Sequence, residues 1–148
     1  MNEKSFQILG ISHVGLAPQS ASQLASFFSD TLGLTEVGSE TVLTQKTSTL
    51  VFCSTYADPN PKASGRLEVL APTDDSSPIA AFLAKRGSGI HHIALQVDRI
   101  DALCAYLKTK NIPTTTEVPV PGIHGSRVLF VHPKATSGIL VEFVEESF

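Results

Sequence analysis

Two histidines and two glutamates recur at matching places along the chain. His13 opens the stretch His-Val-Gly-Leu-Ala and His92 opens His-Ile-Ala-Leu-Gln, 79 residues later. Glu68 stands inside the apolar run Arg-Leu-Glu-Val-Leu, and Glu142, 74 residues on, stands inside Gly-Ile-Leu-Val-Glu-Phe-Val. A carboxylate in the middle of an apolar strand is costly to bury unless it is paired or bound to a cation. Two imidazoles and two carboxylates, one of each from two repeated halves, make a donor set for an octahedral divalent metal with positions left for water or substrate. Taken singly, each histidine would serve as a hydrogen-bonded core residue and each glutamate as part of a solvated face. Recurrence of all four at equivalent positions favours the metal.

The elements that would position them follow the same grammar twice. His13 and His92 each begin a short apolar strand, and alternation puts His13, Gly15 and Ala17 on one face with Val14 and Leu16 on the other. In the second strand His92, Ala94 and Gln96 oppose Ile93, Leu95 and Val97. The bulky face is expected to pack on a helix, leaving the histidine face small and open. After the first strand, Ser20 and Gln23 form a capping box, Leu24, Phe27 and Phe28 follow at helical spacing, and Gly33 ends the helix. After the second, Asp98 is expected as N-cap, Ile100, Leu103, Cys104 and Leu107 form the apolar stripe, and Asn111 closes the helix in the left-handed conformation. Strands are expected at Thr49 to Thr55, Arg66 to Leu70, Arg127 to Val131 and Ile139 to Val144. Tyr56 to Gly65, with Pro59, Asn60 and Pro61, reads as a loop. A helix from Pro78 to Lys85, stopped by Gly87, joins the halves.

The fold expected is therefore α+β, with two βαβββ modules, at about residues 8–72 and 90–146, forming a curved mixed sheet around a metal site. A linking helix at about 78–87 completes a single domain of 148 residues. A chain of that length buries roughly 68–70% of its unfolded surface, enough for a core without staples.

The remaining polar residues carry less. His91 is turned to the face opposite His92 and reads as structural. His124, in Pro-Gly-Ile-His-Gly-Ser, serves equally as a substrate contact or a turn. His132, before Pro133, suits a turn. Lys85, Arg86, Arg127 and Lys134 could meet an anionic ligand, although scattered surface cations are common.

Composition excludes several classes. Charged residues make up 17% and hydrophobic residues 42%, which is ordinary for a globular protein and unlike a disordered one. Eleven basic against fourteen acidic residues give a net charge of −3 with no dense basic cluster, so nucleic acid is not an expected partner. Cys53 and Cys104 form no framework of disulfides or paired-cysteine metal motif. No run approaches a membrane span, and the N-terminal stretch has no signal-peptide pattern, so a cytoplasmic protein is expected.

Over nearly its whole length the chain resembles the vicinal oxygen chelate superfamily, the glyoxalase-type metalloenzymes built of paired βαβββ modules. Within it, Ser77 to Asp98 and His124 to Glu145 are most similar to the methylmalonyl-CoA epimerase family. The His, Glu, His, Glu set is shared with glyoxalase I, so the flanks discriminate. Bacterial-type glyoxalase I carries a glutathione-binding arginine four residues past the first ligand, where this chain has Ala17. Four residues past the second ligand it carries an asparagine, where Pro72 here completes Leu-Glu-Val-Leu-Ala-Pro, which resembles the epimerase pattern. The resemblance implies one divalent ion (Zn, Ni, Co or Mn) on His13, Glu68, His92 and Glu142. It also implies an acyl-CoA substrate, α-proton abstraction with Glu142 as one proton-transfer group, and a homodimer. One departure stands out: counted without gaps from Gly33, Thr44 occupies the place of the glutamate expected to be the second proton-transfer group. Glu40 lies four residues short of it. Glyoxalase I is the main alternative. An extradiol-type dioxygenase, disfavoured by the fourth ligand, and a drug-sequestering module of the same fold are further ones.

Overall fold

The computed structural model describes residues 4–53 and 65–147. The loop expected at Tyr56 to Gly65, and the end of the strand expected to reach Thr55, lie outside these residues apart from Gly65. Two compact units are present, His13–His91 and Met1–Ser12 with His92–Phe148, and the chain passes from one to the other within its first and fifth strands.

In the unit His13–His91 the order is β1 (Ile8–Ala17), α1 (Ala21–Ser26), β2 (Thr35–Val42), β3 (Thr47–Cys53), β4 (Arg66–Pro72) and α2 (Pro78–Arg86). Its strands lie in the order β2-β3-β4-β1, with β1 parallel to β4 and the other pairings antiparallel. Helix α1 starts as expected: the Ser20 hydroxyl accepts from the Gln23 backbone N–H at 3.2 Å. It runs on into a π-helical turn, Phe27–Thr31, before Gly33 at φ +72° lets the chain leave. Its apolar face packs Leu24, Ala25 and Phe28 against Leu16, Phe52 and Val69. Ser77 caps α2 by accepting from Ile79 N–H at 3.1 Å, and Gly87 ends that helix one residue later than expected.

The other unit contains β5 (Gly89–Val97), α3 (Ile100–Thr109), β6 (Val120–Pro121), β7 (Arg127–Val131) and β8 (Val141–Glu145), with sheet order β5-β8-β7-β6. The expected stripe is its core: Ile100, Leu103 and Cys104 of α3 pack on Val97 and Leu129, with Leu107 and Phe143 alongside. Asn111 adopts φ +56°, as read from the sequence. Asp98, however, is not the N-cap of α3. Its carboxylate accepts from Gln7 N–H at 2.7 Å, Arg99 occupies the cap position, and Glu145 at the end of β8 accepts from Ile100 N–H at 2.6 Å. The orphan donor of the first turn is thus satisfied from a strand 45 residues away.

Strand β8 starts two residues later than expected because the turn after β7 consumes Ile139. Ser137 and Gly138 both take positive φ there, and Gly138 N–H reaches back to the Pro133 carbonyl. Strands β2 and β6 carry too few apolar residues to announce themselves. Most of β2 is exposed, as befits an edge. Among the described residues no helix is long and apolar enough to cross a membrane.

Candidate functional site

Each unit holds one buried imidazole against one buried carboxylate. In β1 and β4 the Nδ1 atom of His13 lies 2.9 Å from an Oε atom of Glu68, and in β5 and β8 the Nε2 atom of His92 lies 2.8 Å from an Oε atom of Glu142. All four residues are 5–6% exposed. Parallel pairing brings each couple together, since β1 aligns Gly15 with Glu68 and β5 aligns Ala94 with Glu142. Each imidazole therefore springs from two positions before the partner of its glutamate, on the same face, close enough for ring and carboxylate to meet.

The histidine face is covered rather than open, which corrects the sequence expectation. Ala17 is fully buried with Leu70 beneath Ile79, Phe82 and Leu83 of α2, and Ala94 is fully buried with Val128 and Val144. Small residues on this face let apolar neighbours close over it, whereas Ile93, expected to pack on a helix, is 37% exposed. Leu16 and Val97 do pack on helices, so alternation placed them correctly.

Phe130 is a site residue that the sequence reading passed over. It pairs with Glu142 across β7 and β8 and stands edge-on to the His92 ring, centroids 5.8 Å apart. Its signal was the alternation of Val128 and Phe130, usable once the β7–β8 register is known. Arg66 was also passed over. It aligns with His13, and its charge partly offsets the burial that pushes the Cys53 thiol up, so that thiol is no thiolate nucleophile at neutral pH.

The other polar residues resolve into structure. His91 stands edge-on to Phe82 at 5.1 Å, and His132 caps the turn Pro133–Ala135 by accepting from Lys134 N–H at 3.1 Å. His124, exposed and at φ +52°, belongs to a turn closed by bonds from Gly122 N–H to the Ser126 carbonyl and from Ser126 N–H to the Ile123 carbonyl. Gly122 is required there, because a Cβ would come within 2.6 Å of the Ser126 hydroxyl and 2.7 Å of Val128. Arg127 grips Asp101 through both guanidinium nitrogens, at 2.6 and 2.8 Å, tying β7 to α3. Arg86 lies over the Phe82 ring at 5.6 Å, while Lys85 and Lys134 are exposed. Thr44 sits in an exposed turn, Leu43–Gln45, beyond the end of β2.

The donor atoms in each unit fit a metal. Two ligands about 2.1 Å from one ion and at right angles are about 3.0 Å apart, against about 3.4 Å for a tetrahedral pair. The 2.8 and 2.9 Å separations match the octahedral case. They also match a shared proton, the state in which a neutral imidazole N–H donates to a carboxylate.

Comparison with known proteins identifies the family. Residues 12–130 match the model of the glyoxalase/bleomycin resistance protein/dioxygenase superfamily. The chain belongs to that superfamily. It is 31% identical over 135 residues to uncharacterized protein YqjC of Bacillus subtilis, covering 91% of each chain. To the mitochondrial methylmalonyl-CoA epimerase of Homo sapiens it is 35% identical over 133 residues, covering 89% of this chain and 71% of that one. Among solved structures, a variant of Streptomyces coelicolor methylmalonyl-CoA epimerase in complex with 2-nitronate-propionyl-CoA matches with a TM-score of 0.87 at 29% identity. That match covers 96% of this chain and 100% of the other, so the glyoxalase-like fold spans both βαβββ units.

Proposed function

We propose that the protein is a divalent-metal-dependent epimerase of acyl-CoA thioesters, acting on methylmalonyl-CoA or a close relative. One observation carries this reading: a buried imidazole–carboxylate pair occurs in each repeated unit of a chain whose relatives are named methylmalonyl-CoA epimerase. His13 and Glu68 from the module at 8–72, and His92 and Glu142 from the module at 90–146, would hold one ion. When bound, that ion would polarise the thioester carbonyl as a Lewis acid and so favour loss of the α-proton.

The chain's own groups account for the rest. A two-faced proton transfer needs one group to take the α-proton from one side of the carbon and another to return a proton on the opposite side. Glu142 is assigned to one side. Phe130, packed on His92, fixes the imidazole and screens it from water, which strengthens electrostatic interactions at the site. The complex of the Streptomyces relative with 2-nitronate-propionyl-CoA supports an acyl-CoA ligand. A homodimer in the cytoplasm is part of the same proposal.

The test is an assay of (R)- and (S)-methylmalonyl-CoA in deuterium oxide. Inversion accompanied by deuterium at the α-carbon is expected, abolished by chelator and restored by Zn, Ni, Co or Mn. No exchange in the fully metal-loaded protein would end the epimerase reading. Turnover of methylglyoxal with glutathione in its place would establish glyoxalase I.

A further inference from the structure

We infer that Arg66 recognises the free carboxylate of a malonyl-type acyl group and so makes the site prefer acidic over neutral acyl thioesters, an inference that rests on the epimerase reading. Its placement carries this role. Arg66 aligns with His13 across the parallel pair of β1 and β4, and Glu68, two residues further along β4, aligns with Gly15. Residues directly opposite on neighbouring strands share a face, as do residues two apart on one strand. The intervening Leu67 packs with Phe28, Phe52 and Val69 on the helix side. Arg66 and Glu68 therefore spring from the opposite surface, where the Glu68 carboxylate meets His13 at 2.9 Å. The Arg66 charge also acts on the Cys53 thiol, and Cys53 shares that surface with Val51, the β3 partner of Glu68. All of these residues belong to the unit His13–His91.

The cations that the sequence offered for an anionic ligand are engaged elsewhere. Arg127 grips Asp101, and Arg86 lies over Phe82. Lys46, in the turn between β2 and β3, donates to the Ser76 hydroxyl at 2.6 Å. Strands β1 to β4 contain no Lys or Arg besides Arg66. Arg66 is half-buried, so a charge pair made there is screened less than one in open water. Its planar fork matches a carboxylate in a two-bond grip, and its five N–H donors leave some for neighbours within the chain.

Reach separates the two anionic parts of such a thioester. Neighbouring strands lie about 4.7–4.9 Å apart and residues two apart on a strand about 6.6 Å, so the Arg66 stem is rooted close to both His13 and Glu68. On the epimerase reading the thioester carbonyl oxygen lies beside those two residues. A malonyl carboxylate is attached to the carbon next to that carbonyl, which puts it within the span of one arginine side chain. The phosphates of CoA sit at the far end of the pantetheine arm and fall outside that span. A neutral acyl group forfeits the charge-assisted hydrogen bonds and leaves the guanidinium donors facing an apolar substituent.

Malonyl-CoA and acetyl-CoA differ by this carboxylate and carry the same phosphates, so the ratio of their dissociation constants isolates it. Both are titrated calorimetrically into metal-loaded wild type, Arg66→Met and Arg66→Lys, with thermal unfolding and metal content followed in parallel. Wild type is expected to bind malonyl-CoA at least about tenfold more tightly than acetyl-CoA. Arg66→Met, which keeps an apolar stem, is expected to bring the two within about threefold while binding acetyl-CoA as wild type does, and Arg66→Lys to keep an intermediate preference. A ratio that stays above about threefold in Arg66→Met would overturn the inference. Equal weakening of both thioesters would also overturn it, by assigning Arg66 to the CoA phosphates. So would a wild type with no preference for malonyl-CoA, whether or not Arg66→Met folds. A wild-type chain that inverts neither epimer of methylmalonyl-CoA would instead overturn the epimerase reading.

Discussion

A buried imidazole beside a buried carboxylate is tolerable only when a proton or a cation sits between them, because either charge alone loses several kcal/mol of hydration. This chain contains that arrangement twice, and His92 has an aromatic wall as well. Glu68→Gln keeps the volume and one acceptor, so the fold is expected to survive. If Glu68 is the anionic ligand proposed, its replacement by a neutral amide is expected to lower α-proton exchange by about 100-fold or more at saturating substrate. Metal content of the purified variant, measured with kcat, checks this; full activity with full metal would contradict it. The residue types of these four positions were legible in the sequence, because a lone acid in an apolar run and a repeated histidine are both local signals. Phe130 was not, because its relevance depends on which residue stands opposite it on the next strand.

At the scale of elements, the local rules that succeeded were those with a complete local mechanism. Ser20 and Ser77 cap helices from within the chain's own turn. Ser20→Ala is expected to cost about 0.5–2 kcal/mol in urea unfolding. Asp98 failed as a cap because Gln7 and Glu145, distant in sequence, supply better partners to the same corner. Strand β2 went unnamed because an exposed edge strand needs no apolar alternation. The contact of α3 with β7 is more than packing, since the Arg127 guanidinium holds the Asp101 carboxyl below the usual carboxylate range, chiefly by hydrogen bonding. A depressed carboxyl stabilises the fold above its unfolded pKa, and that contribution fades as pH falls through the folded value. Both side chains are substantially exposed, so Arg127→Gln is expected to cost only about 0.2–1 kcal/mol at pH 7. The difference from wild type in urea unfolding is expected to shrink as pH is lowered from 5 towards 2. In the core of the same unit, Leu129→Ala, at a fully buried position, is expected to cost about 2–5 kcal/mol.

For the whole molecule, the repeat was the informative feature. An offset of 79 residues between the histidines and 74 between the glutamates gave two βαβββ units before any register was known. What the repeat could not convey was coverage: both sheet faces carry apolar clusters, and the small side chains of Ala17 and Ala94 are what allow the histidine face to be buried. The proposed function requires His13, Glu68, His92 and Glu142 to hold a single cation. It is tested most directly by counting bound divalent metal in wild type, His13→Ala and His92→Ala after equilibrium dialysis against one metal. One equivalent per chain in the wild type is expected, with nearly all of it lost in either variant alone. Retention of the full equivalent by either variant, or two equivalents in the wild type of which each variant loses one, would contradict it.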